Sequence, residues 1–137
     1  MLFSEIRRMC RQRLADTVVA LIRRTNLGDD IGGFLLKVWH FNAPWALVTN
    51  AAVLPRFGAL LSLFTMTVAL GLYLALGGCF LSEAEHKLGV GDLNVVDPYI
   101  QLFGQTINAQ ARYDFTVFGA YLAYVLVLSI LHLRGII

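Results

Sequence analysis

Charge is scarce in this chain of 137 residues: Asp, Glu, Lys and Arg make up 15% of it, against 58% hydrophobic residues. Soluble domains carry about 25% charged residues, and a small domain has proportionally more surface to keep in water. The shortage excludes a free-standing water-soluble monomer. It excludes disorder as well, because disordered chains combine low hydrophobicity with high net charge.

Cysteine is nearly absent. Cys10 and Cys79 are far apart in sequence and neither has a second cysteine or histidine at metal-ligand spacing, so no disulfide framework or zinc site is expected. Cys79 ends an apolar run and reads as a small packing residue. Charge of one sign is lacking too. Eleven Lys and Arg against nine Asp and Glu leave a net charge of +2, which is no surface for a polyanion, and nucleic acid is not an expected partner. The sequence has no nucleophile elbow, Walker loop, dinucleotide fingerprint, zincin helix or potassium-channel filter. The expectation is therefore that the chain is not an enzyme.

Long charge-free runs are present. Residues 57–81 hold no formal charge and as a helix would reach about 38 Å, beyond the ~30 Å hydrocarbon core. Ser62, Thr65 and Thr67 within it can bond back to their own backbone. Residues 115–133 are also free of charge and would reach about 28 Å, with His132 and Arg134 at the far end where polar groups reach water. No Asp, Glu, Lys or Arg lies inside either run. Pumps, voltage sensors and ion-coupled carriers place ionisable groups there, so active transport is disfavoured. The fold class expected is an all-α integral membrane protein. It is a two-span transmembrane helical hairpin with an N-terminal amphipathic helix and short interfacial helices.

Five segments follow: an amphipathic Arg-rich helix over 1–27, an interfacial or re-entrant segment over 28–56, the first span over 57–81, an acidic loop with a short helix over 82–114, and the second span over 115–134. In the first, Leu2, Phe3, Ile6, Met9, Cys10, Leu14, Val18, Leu21 and Ile22 recur at helical steps, with Ser4 as N-cap and Gly28 as stop. Arg7, Arg8, Arg11 and Arg13 accompany this stripe and are candidate contacts for anionic lipids such as cardiolipin. The helix either lies on a membrane or packs on a partner, and its arginines also suit an import signal.

In the second segment, Trp39 and Trp45 are amphipathic anchors suited to the lipid interface. Lys37, His40, Asn42 and Pro44 interrupt the apolar stretch 31–54. Two short helices broken at Pro44 are expected, with a third span as the alternative. Eight Lys or Arg in residues 1–56, against two in residues 82–114, place both termini on the matrix or cytoplasmic side. In the loop, Asp97-Pro98 reads as a helix start, and Asn108 or Asp114 as the cap of the second span.

Glu83, Glu85 and His86 form the densest cluster of acids and histidine, but their spacing does not share one helix face, and a solvated helix end is the expected reading. His40 and His132 fall on one predicted side of the membrane, and two histidines can ligate a haem iron. They are the candidate cofactor residues, for haem or a quinone pocket. Gly71, Ala75 and Cys79 stack at i, i+4 and i+8, and Gly119 and Ala123 make a similar face with Thr116. Small faces let helices approach closely in lipid, and these are the candidate helix-packing residues.

In general character the chain resembles the small accessory subunits of mitochondrial inner-membrane complexes, respiratory or ATP synthase. That resemblance implies a non-catalytic subunit with other membrane subunits as partners. A haem- or quinone-binding redox anchor and a small homo-oligomeric channel or carrier are the alternatives.

Overall fold

The computed structural model describes residues 2–91 and 94–137, leaving out the side chain of Leu2. The sequence-based roles of Leu2 in the apolar stripe and of Asp92 among the loop acids lie outside these described residues. The described chain is all-helical: α1 (Leu2–Arg23), α2 (Asp29–Val53), α3 (Arg56–Leu76), α4 (Phe80–Lys87), α5 (Asp97–Leu102) and α6 (Ala109–Leu133). Two of these, α3 and α6, are long and apolar enough to cross a membrane.

Several helix ends follow from local chemistry. The Asn108 side chain accepts from the backbone N–H of Ala111 at 2.8 Å. It satisfies a donor that the first turn of α6 would leave orphaned, so α6 begins six residues before the charge-free run. Asn26 and Gly28 have positive φ and turn the chain between α1 and α2. Ser4 lies inside α1 rather than capping it. At the start of α5, Asp97 Oδ2 reaches back to accept from the Asn94 N–H at 2.8 Å.

Two expectations are corrected here. The first is the break at Pro44: α2 runs through it as one 25-residue helix. A proline removes one backbone hydrogen bond and crowds the preceding turn, yet the helix continues for nine residues beyond it, to Val53. The second is the end of the helix built from the first charge-free run. It stops at Leu76, not at residue 81, because Gly77 and Gly78 adopt φ of 64° and 150°, conformations that no helix continues through.

The chain divides into two compact units. One comprises Met1–Phe41 with Leu72–Asp97, the other Asn42–Gly71 with Pro98–Ile137. In the first unit, α1 packs along α4. Ala15 and Val19 of α1 are buried with Ala84 and Leu88, and Val18, Ile22 and Leu36 pack around them. Lys87 Nζ donates to Asp16 Oδ1 at 2.5 Å across the same pair of helices. The close approaches are made at Gly32 and Gly33, both buried. A Cβ on Gly32 would lie 2.3 Å from the Ile22 side chain, and one on Gly33 would lie 2.9 Å from Val90.

In the second unit, Ala51, Ala59, Met66, Val127, Leu131 and Ile136 form the core, flanked by Leu47, Leu63 and Tyr124. Sequence-distant polar contacts join parts of this unit. Thr67 Oγ1, late in α3, donates to Tyr124 Oη at 3.2 Å, while Arg134, past the end of α6, donates to the carbonyls of Ala51 and Leu54 ahead of α3.

Candidate functional site

The first unit gathers three chemistry-bearing side chains. His40 comes from α2, Cys79 from the position just before α4, and Glu85 from within α4. Nδ1 of His40 lies 2.6 Å from Glu85 Oε1, and Nε2 lies 3.4 Å from Cys79 Sγ. Glu85 is only 4% exposed, and His40 and Cys79 are half-buried. A buried carboxylate persists when it is paired and hydrogen-bonded, and here the imidazole supplies the pairing.

Local sequence explains the placement. After the Gly77-Gly78 turn the chain enters α4 with Cys79 in extended conformation at the N-cap position. Its sulfur makes no capping hydrogen bond, but the nearby backbone N–H groups of Leu81 and Ser82 draw the thiol's pKa down. Glu85 lies six residues further on, inside α4. Lys37, one turn before His40 on α2, donates to the Val90 carbonyl at 2.6 Å and ties α2 to the segment after α4.

The electrostatics follow from this geometry. Burial favours neutral forms of both groups, the imidazole and the thiol. For His40 that penalty is outweighed by the contacts to Cys79 and Glu85, and its pKa is raised from 6.5 to about 10. For Cys79, burial pushes the thiol up, but the bond and positive charge of His40, with the Leu81 and Ser82 amides, bring it below its ordinary value. With the imidazole protonated, both ring nitrogens donate, Nδ1 to the Glu85 carboxylate and Nε2 to the sulfur.

Sequence reasoning missed this cluster. Cys79 was read as a packing residue and Glu85 as part of a solvated helix end, whereas His86 alone of that trio is exposed in the way expected. The signal available was a cysteine directly after Gly-Gly at a helix start. It did not reveal His40, 39 positions away.

The other candidates fall as follows. Both nitrogens of His40 are occupied by protein partners, so neither lone pair is open to a haem iron, and His132 is exposed on α6. Cys79 and Glu85 lie on opposite ring nitrogens and cannot converge with His40 on one ion. Among the described residues no group of three His, Cys, Asp or Glu has metal-binding geometry.

Of the arginines, Arg8 and Arg13 are exposed. Arg11 turns to its own chain, donating from Nη1 to the Gly77 carbonyl at 2.9 Å, with Nε 3.9 Å from Glu83 Oε2. Arg7 lies over the Phe3 ring at 4.5 Å. Trp39 and Trp45 are exposed. The packing face Gly71–Ala75–Cys79 does not exist as one helix face, because α3 ends at Leu76 before Cys79. A Cβ at Gly71 or Gly119 would meet nothing within 4 Å. Ala123 does pack against the core of its unit.

These features define a class: an all-helical chain with two helices apolar enough to span a membrane and a polar Cys–His–Glu cluster outside them. No family model matches the chain, no curated protein matches it, and no solved structure matches it.

Proposed function

We propose that this chain is an accessory, non-catalytic subunit of a multi-subunit membrane complex, stabilising the assembly through helix packing and lipid contacts. The observation that carries this reading is the apolar surface the chain leaves uncovered. Only 22% of the most apolar window of α3 and 11% of that of α6 is buried within the chain. Lipid suffices to cover those two. It does not account for α2, which is not among the helices apolar enough to span, yet exposes Ile31, Phe34, Leu35, Trp39, Phe41 and Trp45. Exposed apolar faces of this extent call for a protein or headgroup-level partner.

The exposed Arg8 and Arg13 suit anionic headgroups such as cardiolipin. An energy-transducing membrane, with the mitochondrial inner membrane and its respiratory or ATP synthase complexes foremost, fits this combination. The basic N-terminal stretch then puts both termini on the matrix side. Solubilising the tagged chain from its native membrane in mild detergent tests this reading. Stoichiometric capture of respiratory or ATP synthase subunits is expected. A homo-oligomer that conducts ions in liposomes with no other chain bound would replace it with the channel reading.

A further inference from the structure

We propose that Cys79, His40 and Glu85 form an activated-thiol site that accepts a fatty acyl group from a long-chain acyl thioester with an anionic carrier. This goes beyond the subunit reading and does not depend on it.

The arrangement is that of a nucleophile, a base and a group that orients the base. The sulfur meets one ring nitrogen at 3.4 Å and a buried carboxylate holds the other at 2.6 Å. This is the geometry by which thiol nucleophiles are activated. The sulfur also sits at the N-cap position of an eight-residue helix, where it makes no capping hydrogen bond and where the Leu81 and Ser82 amides lower its pKa. Such donors stabilise a thiolate, and the same class of donor stabilises an oxyanion on the attacked carbon. A purely structural role would need only the His40–Glu85 pair. It gives no reason for a thiol at the helix start on the imidazole's other nitrogen.

Two features choose the acyl donor. Cys79 lies three residues past Leu76, where the most apolar helix ends, and Trp39 and Phe41 beside His40 are exposed. A cysteine at such a level meets acyl chains. On the other side of the cysteine, Arg11 approaches Gly78 so closely that a Cβ there would lie 2.7 Å from Nη1, and Arg7 lies beside Gly77. The Nε atoms of Arg7 and Arg11 are buried without a hydrogen-bond partner. The Arg11 guanidinium beside Gly78, which also donates to the Gly77 carbonyl, suits a phosphorylated thiol carrier.

The step balances without any redox change. The Cys79 sulfur attacks the thioester carbonyl carbon, and its proton resides on His40. The bond between that carbon and the carrier sulfur breaks, and the carrier thiolate takes the proton from the imidazolium. The products are an S-acylated Cys79 and the free carrier thiol. Glu85 is a positioning residue that acts through His40. The titratable groups around the site are Glu85, Glu83 and His86 on α4, Lys37 on α2 and Arg7 and Arg11 on α1.

The test uses the full chain with Cys10→Ala, so that Cys79 is the only thiol, in phosphatidylcholine vesicles with alkyne-tagged palmitoyl-coenzyme A. Labelling that hydroxylamine removes is expected, and it should vanish in Cys79→Ala. His40→Gln should slow labelling at neutral pH by about 100-fold or more, the scale of a lost acid–base partner, with recovery as the pH rises through the ordinary thiol range. Glu85→Gln should shift the pH–rate profile, and Glu85→Asp should restore part of it. Iodoacetamide alkylation of the Cys10→Ala chain gives a reading that needs no site variant, and its rate should titrate below the ordinary thiol pKa. A thiol that titrates at the ordinary value, or labelling no faster than that of a cysteine peptide, overturns the proposal. So does a thiol that alkylates readily but refuses the acyl thioester.

Discussion

The two units of this chain solve the same packing problem with different chemistry. The unit of Asn42–Gly71 and Pro98–Ile137 is held by apolar side chains, with Ala51, Ala59, Met66, Val127, Leu131 and Ile136 at its centre. The unit of Met1–Phe41 and Leu72–Asp97 has a small apolar core of Ala15, Val19, Ala84 and Leu88. Around it runs a set of long-range polar links: Lys87 to Asp16, Arg11 to the Gly77 carbonyl, Lys37 to the Val90 carbonyl and His40 to Glu85. The difference teaches where each kind of contact is effective. Between long apolar helices, the contact is made by side-chain packing with few polar groups to pair. At helix ends and in short helices, charges can be paired and backbone carbonyls capped, and sequence-distant polar partners fix the geometry.

The comparison is tested most severely at His40–Glu85. Replacing Glu85 by Ala leaves a protonated imidazole half-buried without its counter-ion. Chemical denaturation in mild detergent should show a loss of about 3 kcal/mol, the scale for breaking a buried pair. The same pair sets a pH dependence. Because the folded-state pKa of His40 is raised from 6.5 to about 10, its contribution is complete below about pH 6.5 and is lost as pH rises through about 10. The melting temperature should fall across that window, and Glu85→Gln should flatten the fall. An unchanged slope in Glu85→Gln would mean that this unit is not held by its charges.

On the apolar side, Leu131→Ala should cost about 2 kcal/mol by leaving a cavity in the second unit, with no change in the pH dependence. A change in that slope would erase the distinction between the units. A smaller effect is expected from Arg134→Ala, about 1 kcal/mol, because it uncaps the Ala51 and Leu54 carbonyls that are partly reachable by water. The smallest belongs to Arg23→Ala. Its pair with Asp29 is bidentate at 3.0 and 2.6 Å and holds the Asp29 carboxyl below its ordinary value, but both groups are exposed. No measurable shift in melting temperature is expected, and a clear one would show that the turn between α1 and α2 is a structural determinant.

Much of the helix plan was legible. Runs without charge identify α3 and α6, because a helix interior in lipid tolerates few ionisable groups. Asn108 announced the start of α6 through a side chain that reaches a nearby amide, and Asp97-Pro98 marked α5. The errors lie where a local rule met a stronger neighbour. Pro44 suggested a break, yet α2 continues through it. Gly71 and Gly119 suggested close packing and face open space, while close approaches fall on other glycines, Gly32, Gly33, Gly78 and Gly91 among them. Small residues permit contact, and only the path of the neighbouring chain decides which of them make it.

The sequence by itself determined an all-helical chain, the two long apolar helices, the Asn108 cap of α6 and the concentration of arginine near the N-terminus. These depend on composition and on neighbours within about one helical turn. The tertiary structure alone decided that Arg11 turns toward Gly77, that α1 lies along α4, and that His40 stands between Cys79 and Glu85, 39 and 45 residues away. Pairings at such separations leave no local periodicity, because they arise only after the helices have packed and the burial of one polar group has made a particular partner necessary.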